Sequence, residues 1–272
     1  MNSTIDISRP QVFYSCYFKI SREGEQFIPV NVFTYIVSGS LVINDGRKET
    51  RLQQGDFVFY VKNHLAKFTK MPSEENGEFK ALSVLLDTET LKKFSDNFGY
   101  TSVKNTTNGG IVLLEANAMY KAYTESLLAY LEKPESHSDA LLQLKVNEAI
   151  LLLLETKPDM ADILFDFSEP GKIDLKAFMA RNFHFNVDLS RFAYLTGRSL
   201  STFKRDFQKV FSTTPNKWLQ QKRLEEAHFL ITEKGKKPSD VYLEVGFENL
   251  SHFSFAFKKA FGKAPSQLFS EG

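Results

Sequence analysis

The side chains best suited to chemistry lie in two similar segments, STFKRDFQKVFSTTP (201–215) and SHFSFAFKKAFGKAP (251–265). Both interleave phenylalanine with cationic and hydroxyl side chains, and the first contains Lys204 and Arg205. An arginine that faces a base edge can donate two hydrogen bonds to guanine, and lysine and arginine neutralise phosphates. These residue types therefore favour binding of a nucleic acid.

The spacing of the phenylalanines predicts a helix in each segment. They recur every four residues, which puts them on one helical face, where we expect core packing. They are Phe203, Phe207 and Phe211 in the first copy, and Phe253, Phe257 and Phe261 in the second. The opposite face carries Ser201, Lys204, Arg205 and Gln208 in the first copy, and Ser251, Ser254, Phe255 and Lys258 in the second.

A short helix and a glycine-containing turn precede each copy, in LSRFAYLTGRS (189–199) and PSDVYLEVGFEN (238–249). A helix, a tight turn and a second helix with a buried stripe form the helix-turn-helix pattern. The intervening segment WLQQKRLEEAHFLITEKG (218–235) predicts a long helix that joins the two units. The repeat therefore predicts two DNA-reading units in one small domain.

Residues from about 173 to 270 resemble the DNA-binding domain of the AraC/XylS family of bacterial transcription regulators. The matching stretches are FKRDFQKVFSTTPNKWLQQKRLEEAHFLI and SDVYLEVGFENLSHFSFAFKKAFGKAPSQL. The resemblance implies two recognition helices in successive major grooves of double-stranded DNA, and RNA polymerase as a further partner. The chain departs from the family at Ser212, where glycine is usual, and at Phe255, where arginine is frequent. Phenylalanine cannot bind guanine in a bidentate manner but can contact a thymine methyl group.

We expect Arg205 to read a base, with a phosphate contact or an ion pair to Asp206 or Glu226 as the alternatives. Lys204 and Ser201 share its face, and Lys204 suits a phosphate. In the second unit the expected DNA contacts are Leu250, Ser251 and Ser254. Phosphate contacts are expected from Arg198, Lys209, Lys258 and Lys259, although a solvated surface explains any single lysine equally well. Arg223 matches an arginine of the family's linker helix, and we interpret it as structural.

The first hundred residues predict short strands and turns. A strand-rich stretch (33–44) meets a hairpin turn at NDG (44–46), Gly55-Asp56 marks another turn, and residues 79–86 predict a further strand. Helical periodicity follows in 113–133 and 139–155, which predicts a helical hairpin. The segment FSEPGK (167–172) follows this part of strands and helices and precedes a part that is predicted to be helical throughout. It is the expected linker between the domains.

The stretch SGSLVINDGRKETRLQQGDFVFYVKN resembles the cupin-like sensory domain of AraC-type regulators. The predicted fold class is therefore α+β with two domains. A cupin-like β-barrel or sandwich with a helical hairpin occupies residues 1–166, and an all-α double helix-turn-helix occupies residues 173–272. The resemblance implies control of an activator by a small ligand or by a protein partner. The helical hairpin 113–157 is the expected surface of a homodimer, with packing inside the monomer as the alternative.

Aromatic residues of the strands can line a ligand pocket or fill a core, and the sequence leaves both open. They are Phe33, Tyr35, Phe57, Phe59 and Tyr60. Strand alternation places Phe57 and Phe59 on the same face. Cys16 lies in FYSCYFKI, where we expect a buried thiol in a strand.

Composition narrows the class of protein. The net charge is +1, yet residues 173–272 carry 16 Lys and Arg against 10 Asp and Glu, which favours a polyanionic partner there. The sequence lacks CxxC, HExxH, GxxxxGK[ST] and GxSxG motifs, so we expect no enzyme, no metal and no cofactor. A metal-dependent cupin enzyme is the alternative, but His64 has no HxH partner. We expect neither a signal peptide nor a membrane span, and a single cysteine suits the cytoplasm.

Overall fold

The computed structural model describes residues 11–22, 24, 26–103, 109–131 and 138–271. The chain divides into two compact units, Met1–Ser168 and Glu169–Gly272. Among the described residues, none of the helices combines the length and the apolar character that a membrane-spanning segment needs.

The first unit is built from short strands followed by helices. Its strands are β1 (Gln11–Tyr17), β2 (Phe27–Ile28), β3 (Asn31–Ser38), β4 (Ser40–Asn44), β5 (Glu49–Gln53), β6 (Phe57–Tyr60), β7 (His64–Leu65), β8 (Lys67–Met71), β9 (Phe79–Leu86) and β10 (Ile111–Leu114). Its helices are α1 (Thr88–Phe98), α2 (Ala118–Leu131), α3 (Asp139–Thr156) and α4 (Met160–Leu164).

In the described part of the unit, the strands form three sheets and not one closed barrel. The largest has the order β1-β9-β3-β6-β10, a second has the order β5-β4-β8, and β2 pairs with β7. The prediction of a β-rich first domain with helices, given as a barrel or a sandwich, is confirmed, with sheets that do not close into a barrel. The predicted hairpin turn at 44–46 joins β4 to β5, and the turn at Gly55-Asp56 joins β5 to β6.

Strand alternation divides the first unit into two cores, one on each face of the five-stranded sheet. Phe57 and Phe59 of β6 pack with α2 and α3, whereas Val58 and Tyr60 pack with residues of β4 and β5. The ring of Phe33 lies 5.3 Å from that of Tyr120 in α2, centroid to centroid. The aromatic residues that could have lined a pocket therefore fill the core.

Three local predictions need correction. Helix α1 interrupts the stretch predicted as strands, and it begins where the Asp87 side chain accepts a hydrogen bond from the Thr90 amide. Residues 111–114 pair with β6, so the helix predicted from 113 begins at Ala118. Cys16 is exposed and not buried, because β1 is the edge strand of its sheet.

The second unit is helical throughout its described residues. Its helices are α5 (Leu175–Asn182), α6 (Leu189–Leu195), α7 (Leu200–Phe211), α8 (Pro215–Thr232), α9 (Pro238–Glu244), α10 (Leu250–Phe261) and α11 (Pro265–Glu271). The pairs α6–α7 and α9–α10 are the two predicted helix-turn-helix units, and α8 is the long helix between them. Leu224, Ala227 and Ile231 of α8 pack in one core with residues of α9 and α10.

Candidate nucleic-acid interface

Helices α7 and α10 are built alike. Each has twelve residues, and α10 begins fifty positions after α7. Ser199 caps α7 by accepting a hydrogen bond from the Thr202 amide at 3.3 Å, and Asn249 caps α10 by accepting one from the His252 amide at 3.0 Å. Side-chain caps of this kind satisfy amides that the first turn of a helix leaves unpaired. The repeat in sequence is therefore a repeat in structure.

The phenylalanine stripe anchors each helix in the core. Phe203, Phe207, Phe253 and Phe257 are fully buried. The last member of each stripe is less covered, and Phe261 is 37% exposed, so the prediction of core packing is too strong there. Behind α7, the Trp218 ring of α8 lies 5.7 Å from the Phe207 ring and 4.7 Å from the Phe211 ring, centroid to centroid. These aromatic contacts fix which face of each helix points outward.

The turn before each of these helices requires glycine. Gly197 has a φ of +64°, and a Cβ there would clash with the backbone of Gly171 and Lys172. Gly246 has a φ of +97°, and a Cβ there would approach the His184 carbonyl oxygen to 2.5 Å. Both positions combine a left-handed backbone with a close approach, which only glycine tolerates.

The outward face of α7 is polar and basic. Ser201, Lys204, Arg205 and Gln208 are exposed, as is Lys209. The Arg205 side chain is 66% exposed, and the ion pair found for it among the described residues is a long one, 3.9 Å from Nε to the Asp206 carboxylate. None of the ion pairs found between described residues involves Lys204 or Lys209. The cationic groups of this face can therefore reach a polyanion without breaking a short salt bridge.

The outward face of α10 has a different character. Leu250, Ser251 and Phe255 are exposed near its beginning, and Ser254 is half-buried. Its lysines, Lys258 and Lys259, are exposed in the last turn. The structure adds His252, an exposed ring in the first turn that we did not predict. Aligning the two copies pairs it with Thr202, and that comparison could have found it.

Arg198 has a different place from the predicted phosphate contact. Its side chain is only 7% exposed, and Nε donates to Asp206 Oδ2 at 3.1 Å. Its Nη1 donates to the carbonyl oxygens of Ile173 at 3.0 Å and Thr196 at 2.6 Å. The hydrogen bond from Arg198 holds the pKa of the Asp206 carboxyl below its usual range. Because a phosphate contact would have to break these bonds, we assign Arg198 to positioning of α7.

Arg223 of α8 is structural, in line with its interpretation from the sequence. Its Nε donates to the Phe183 carbonyl oxygen at 2.8 Å, and its Nη2 donates to that of Phe185 at 2.7 Å. Burial lowers the pKa of the guanidinium to about 10, which leaves it charged at neutral pH. The same guanidinium lies against Gly246, since a Cβ there would come within 3.0 Å of Arg223 Nε. Arg223 thereby connects the end of α5 with the turn before α10.

In the first unit, His64 Nδ1 lies 2.8 Å from the Lys62 carbonyl oxygen. A search of the described part of the chain finds no group of three or more His, Cys, Asp or Glu side chains placed to hold a metal ion.

Comparison with known proteins gives two family matches. Residues 192–271 match the model of a helix-turn-helix domain, and residues 31–163 match the model of the ExsA N-terminal regulatory domain. Together the two models cover most of both units.

Individual relatives are similar at low identity. The virulence regulon transcriptional activator VirF of Yersinia enterocolitica is 28% identical over 165 residues, which are 60% of this chain and 60% of VirF. The chain thus spans less than two thirds of that relative. The HTH-type transcriptional regulator ExsA of Pseudomonas aeruginosa is 24% identical over 98% of this chain and 95% of its own length. Among solved structures, apo ToxT of Vibrio cholerae aligns with a TM-score of 0.46 at 12% identity, over 95% of this chain and 97% of ToxT.

Proposed function

We propose, from the premise that this chain belongs to the AraC family of helix-turn-helix transcription regulators, that it binds specific sites on double-stranded DNA and activates transcription. The observation that carries the proposal is the pair of capped helices α7 and α10. They have the same length, and their phenylalanine stripes occupy the same positions within each helix. Two such helices read two half-sites one helical turn of DNA apart, about 34 Å.

The proposed DNA contacts follow from exposure and charge. Arg205 is the base-reading residue of α7, because its guanidinium is exposed and held only by a long ion pair. The rest of the proposed contact set consists of Ser201, Lys204, Gln208, Lys209, Leu250, Ser251, Ser254, Lys258 and Lys259. Arg198 is not among the proposed contacts, because its guanidinium already donates hydrogen bonds to groups of the second unit.

Residues 173–272 are the proposed DNA-binding domain, and residues 1–166 are the proposed regulatory domain. The match of residues 31–163 to a regulatory-domain model supports that division. We propose that the regulatory domain responds to a small ligand or to a protein partner, and that RNA polymerase is the partner at the promoter. The protein acts in the cytoplasm in this proposal and has no catalytic role.

Helix α3 supports the further proposal of a homodimer. Leu141, Leu144 and Leu151 are exposed and lie three and seven residues apart, so they follow one another along a single face. Leu144 is 62% exposed. Exposed leucines in a row are costly on a monomer surface, and a second copy of the same face would cover them.

Selection of bound sequences from a random pool of double-stranded DNA tests the proposal. With full-length protein at moderate salt, we expect a motif with two half-sites one helical turn apart. Affinity for the selected duplex should fall steeply with salt, because lysine and arginine release counterions from the phosphates.

A control variant that loses the same charge elsewhere distinguishes a role of the α7 surface from an effect of net charge. Lys204→Ala should weaken binding to the selected and to unrelated duplexes alike, whereas Lys121→Ala, an exposed lysine of α2, should leave both unchanged. Binding that ignores sequence at every salt concentration would contradict the proposal.

A further inference from the structure

Phe255 is an aromatic side chain turned toward solvent on a helix that is otherwise anchored by aromatics. It is 71% exposed, while Phe253 and Phe257 of the same helix are fully buried. Its position in α10 corresponds to that of Arg205 in α7, since both are the sixth residue of their helix. The two units therefore present opposite chemistry at the same point of the fold.

The part of α10 around Phe255 carries no permanently charged side chain over two turns. The first eight residues of α10 read LSHFSFAF and contain no lysine, arginine or carboxylate. Ser251 lies one turn before Phe255 on the same face, and Leu250 beside it is 40% exposed. A side chain with no hydrogen-bond donor cannot read guanine, and phosphates do not attract it. An apolar group is a partner that such a side chain suits.

Two basic residues lie next to this uncharged stretch of α10 and indicate which kind of molecule covers it. Lys258 and Lys259 are exposed in the last turn of α10, and the ion pairs found between described residues include neither. A polyanion is the complement of those lysines. The apolar group that double-stranded DNA offers in its major groove is the C5-methyl of thymine.

We propose that Phe255 is a specificity-determining residue of the second unit and that it packs against thymine methyl groups. The inference rests on the proposed function. Under it, the two half-sites are read by different means. Arg205 hydrogen-bonds a guanine in the first half-site, and Phe255 makes apolar contact with thymine in the second. Lys258 and Lys259 hold the neighbouring phosphates.

Removal of single methyl groups from the DNA tests the role of Phe255 directly. The probe is a duplex selected from the random pool by the full-length protein, with each thymine of the second half-site replaced in turn by uracil, which lacks only the methyl group. One methyl contact is equivalent to about a fourfold change in affinity, since a buried methylene contributes about 0.8 kcal/mol. We expect about this loss at one or two thymines for the wild-type protein, and none for Phe255→Ala.

Two further variants give matched controls. Phe255→Arg should select guanine in place of thymine at the same position, as Arg205 does in the first unit. Arg205→Ala should lose preference in the first half-site and keep the full sensitivity to uracil in the second. Both positions are largely exposed, so circular dichroism of each variant should match that of the wild type.

The outcomes separate the inference from the function on which it rests. A two-part motif whose second half-site has no thymine, or tolerates uracil without loss, overturns the role of Phe255 alone. A motif with only the first half-site defined also overturns it. Binding without any sequence preference removes the proposed function itself, and the role of Phe255 falls with it.

Discussion

Replacing Ser212 by glycine should stabilise the second unit, and the mirror change Gly262→Ser should destabilise it. The two residues end α7 and α10 in the same left-handed conformation, with φ and ψ of 55° and 21° at Ser212 and of 78° and −19° at Gly262. Each amide donates to a carbonyl four residues back, at 3.0 Å to Gln208 and 2.8 Å to Lys258. The repeat thus provides one site with the wrong residue for its backbone and one with the right residue.

The magnitude follows from the backbone. A left-handed conformation costs an L-residue roughly 1–2 kcal/mol, and glycine loses roughly 0.5–1 kcal/mol more conformational entropy on folding. The difference leaves a net gain of about 0.5–1 kcal/mol for Ser212→Gly. A Cβ at Gly262 would meet no atom within 4 Å, so Gly262→Ser should cost the backbone term alone, about the same amount with opposite sign.

Thermal unfolding of the full chain, followed by circular dichroism, measures both changes. For a unit of this size, 1 kcal/mol shifts the midpoint by about 4–8 °C. We expect the transition of the second unit to rise by about 2–8 °C in Ser212→Gly and to fall similarly in Gly262→Ser. The double variant should return close to the wild type, because distant effects add. DNA affinity should not change in any of them.

A loss of stability in Ser212→Gly would refute this reasoning, since it would mean that the serine side chain contributes more than its backbone strain removes. A neutral Gly262→Ser would refute it equally.

Three other predictions follow from the second unit. Arg205→Ala should cost about 1–3 kcal/mol on the selected duplex and relax the preference at one base position; an equal loss on every sequence would make Arg205 a phosphate contact. Arg223→Ala should destabilise the unit by about 3 kcal/mol or more in urea unfolding, because two carbonyls lose charge-assisted donors, and Arg223→Lys should restore only part; full stability in Arg223→Ala would contradict the structural role. Because the pKa of Asp206 is depressed, its carboxylate adds to the free energy of unfolding above the ordinary pKa of aspartate. This contribution is lost as the pH falls through the depressed pKa. In Asp206→Asn, the free energy of unfolding should therefore fall less steeply with decreasing pH than in the wild type. An unchanged dependence on acid pH would show that Asp206 does not cause the loss of stability.

The second unit was predictable because its sequence repeats a local pattern. Phenylalanines four residues apart predict a buried helical stripe without any knowledge of the partner that covers it. The turn glycines, Gly197 and Gly246, are equally local signals, since their backbone requires glycine. A signal contained within fifteen residues is readable from the sequence.

The errors came from contacts between residues that are distant in sequence. Arg198 reads as one more surface cation beside a recognition helix, and its burial depends on the carbonyl of Ile173, 25 residues away. Cys16 lies in an apolar stretch, but its strand has a neighbour on one side only. Residues 111–114 form a strand through pairing with β6, although their leucines also continue the helical period of α2. Tertiary partners decided each of these, and periodicity does not encode them.

Trp218 gives the molecule a built-in optical reporter. It is the single tryptophan of the chain, and its indole packs edge-on against the Phe207 ring and at a tilt against the Phe211 ring of α7. Selective excitation of tryptophan fluorescence therefore reports on the packing of the second unit alone, whereas far-ultraviolet dichroism sums over the whole chain. Superimposing the two unfolding curves of unlabelled protein would reveal whether the first and the second unit melt in one transition or in two.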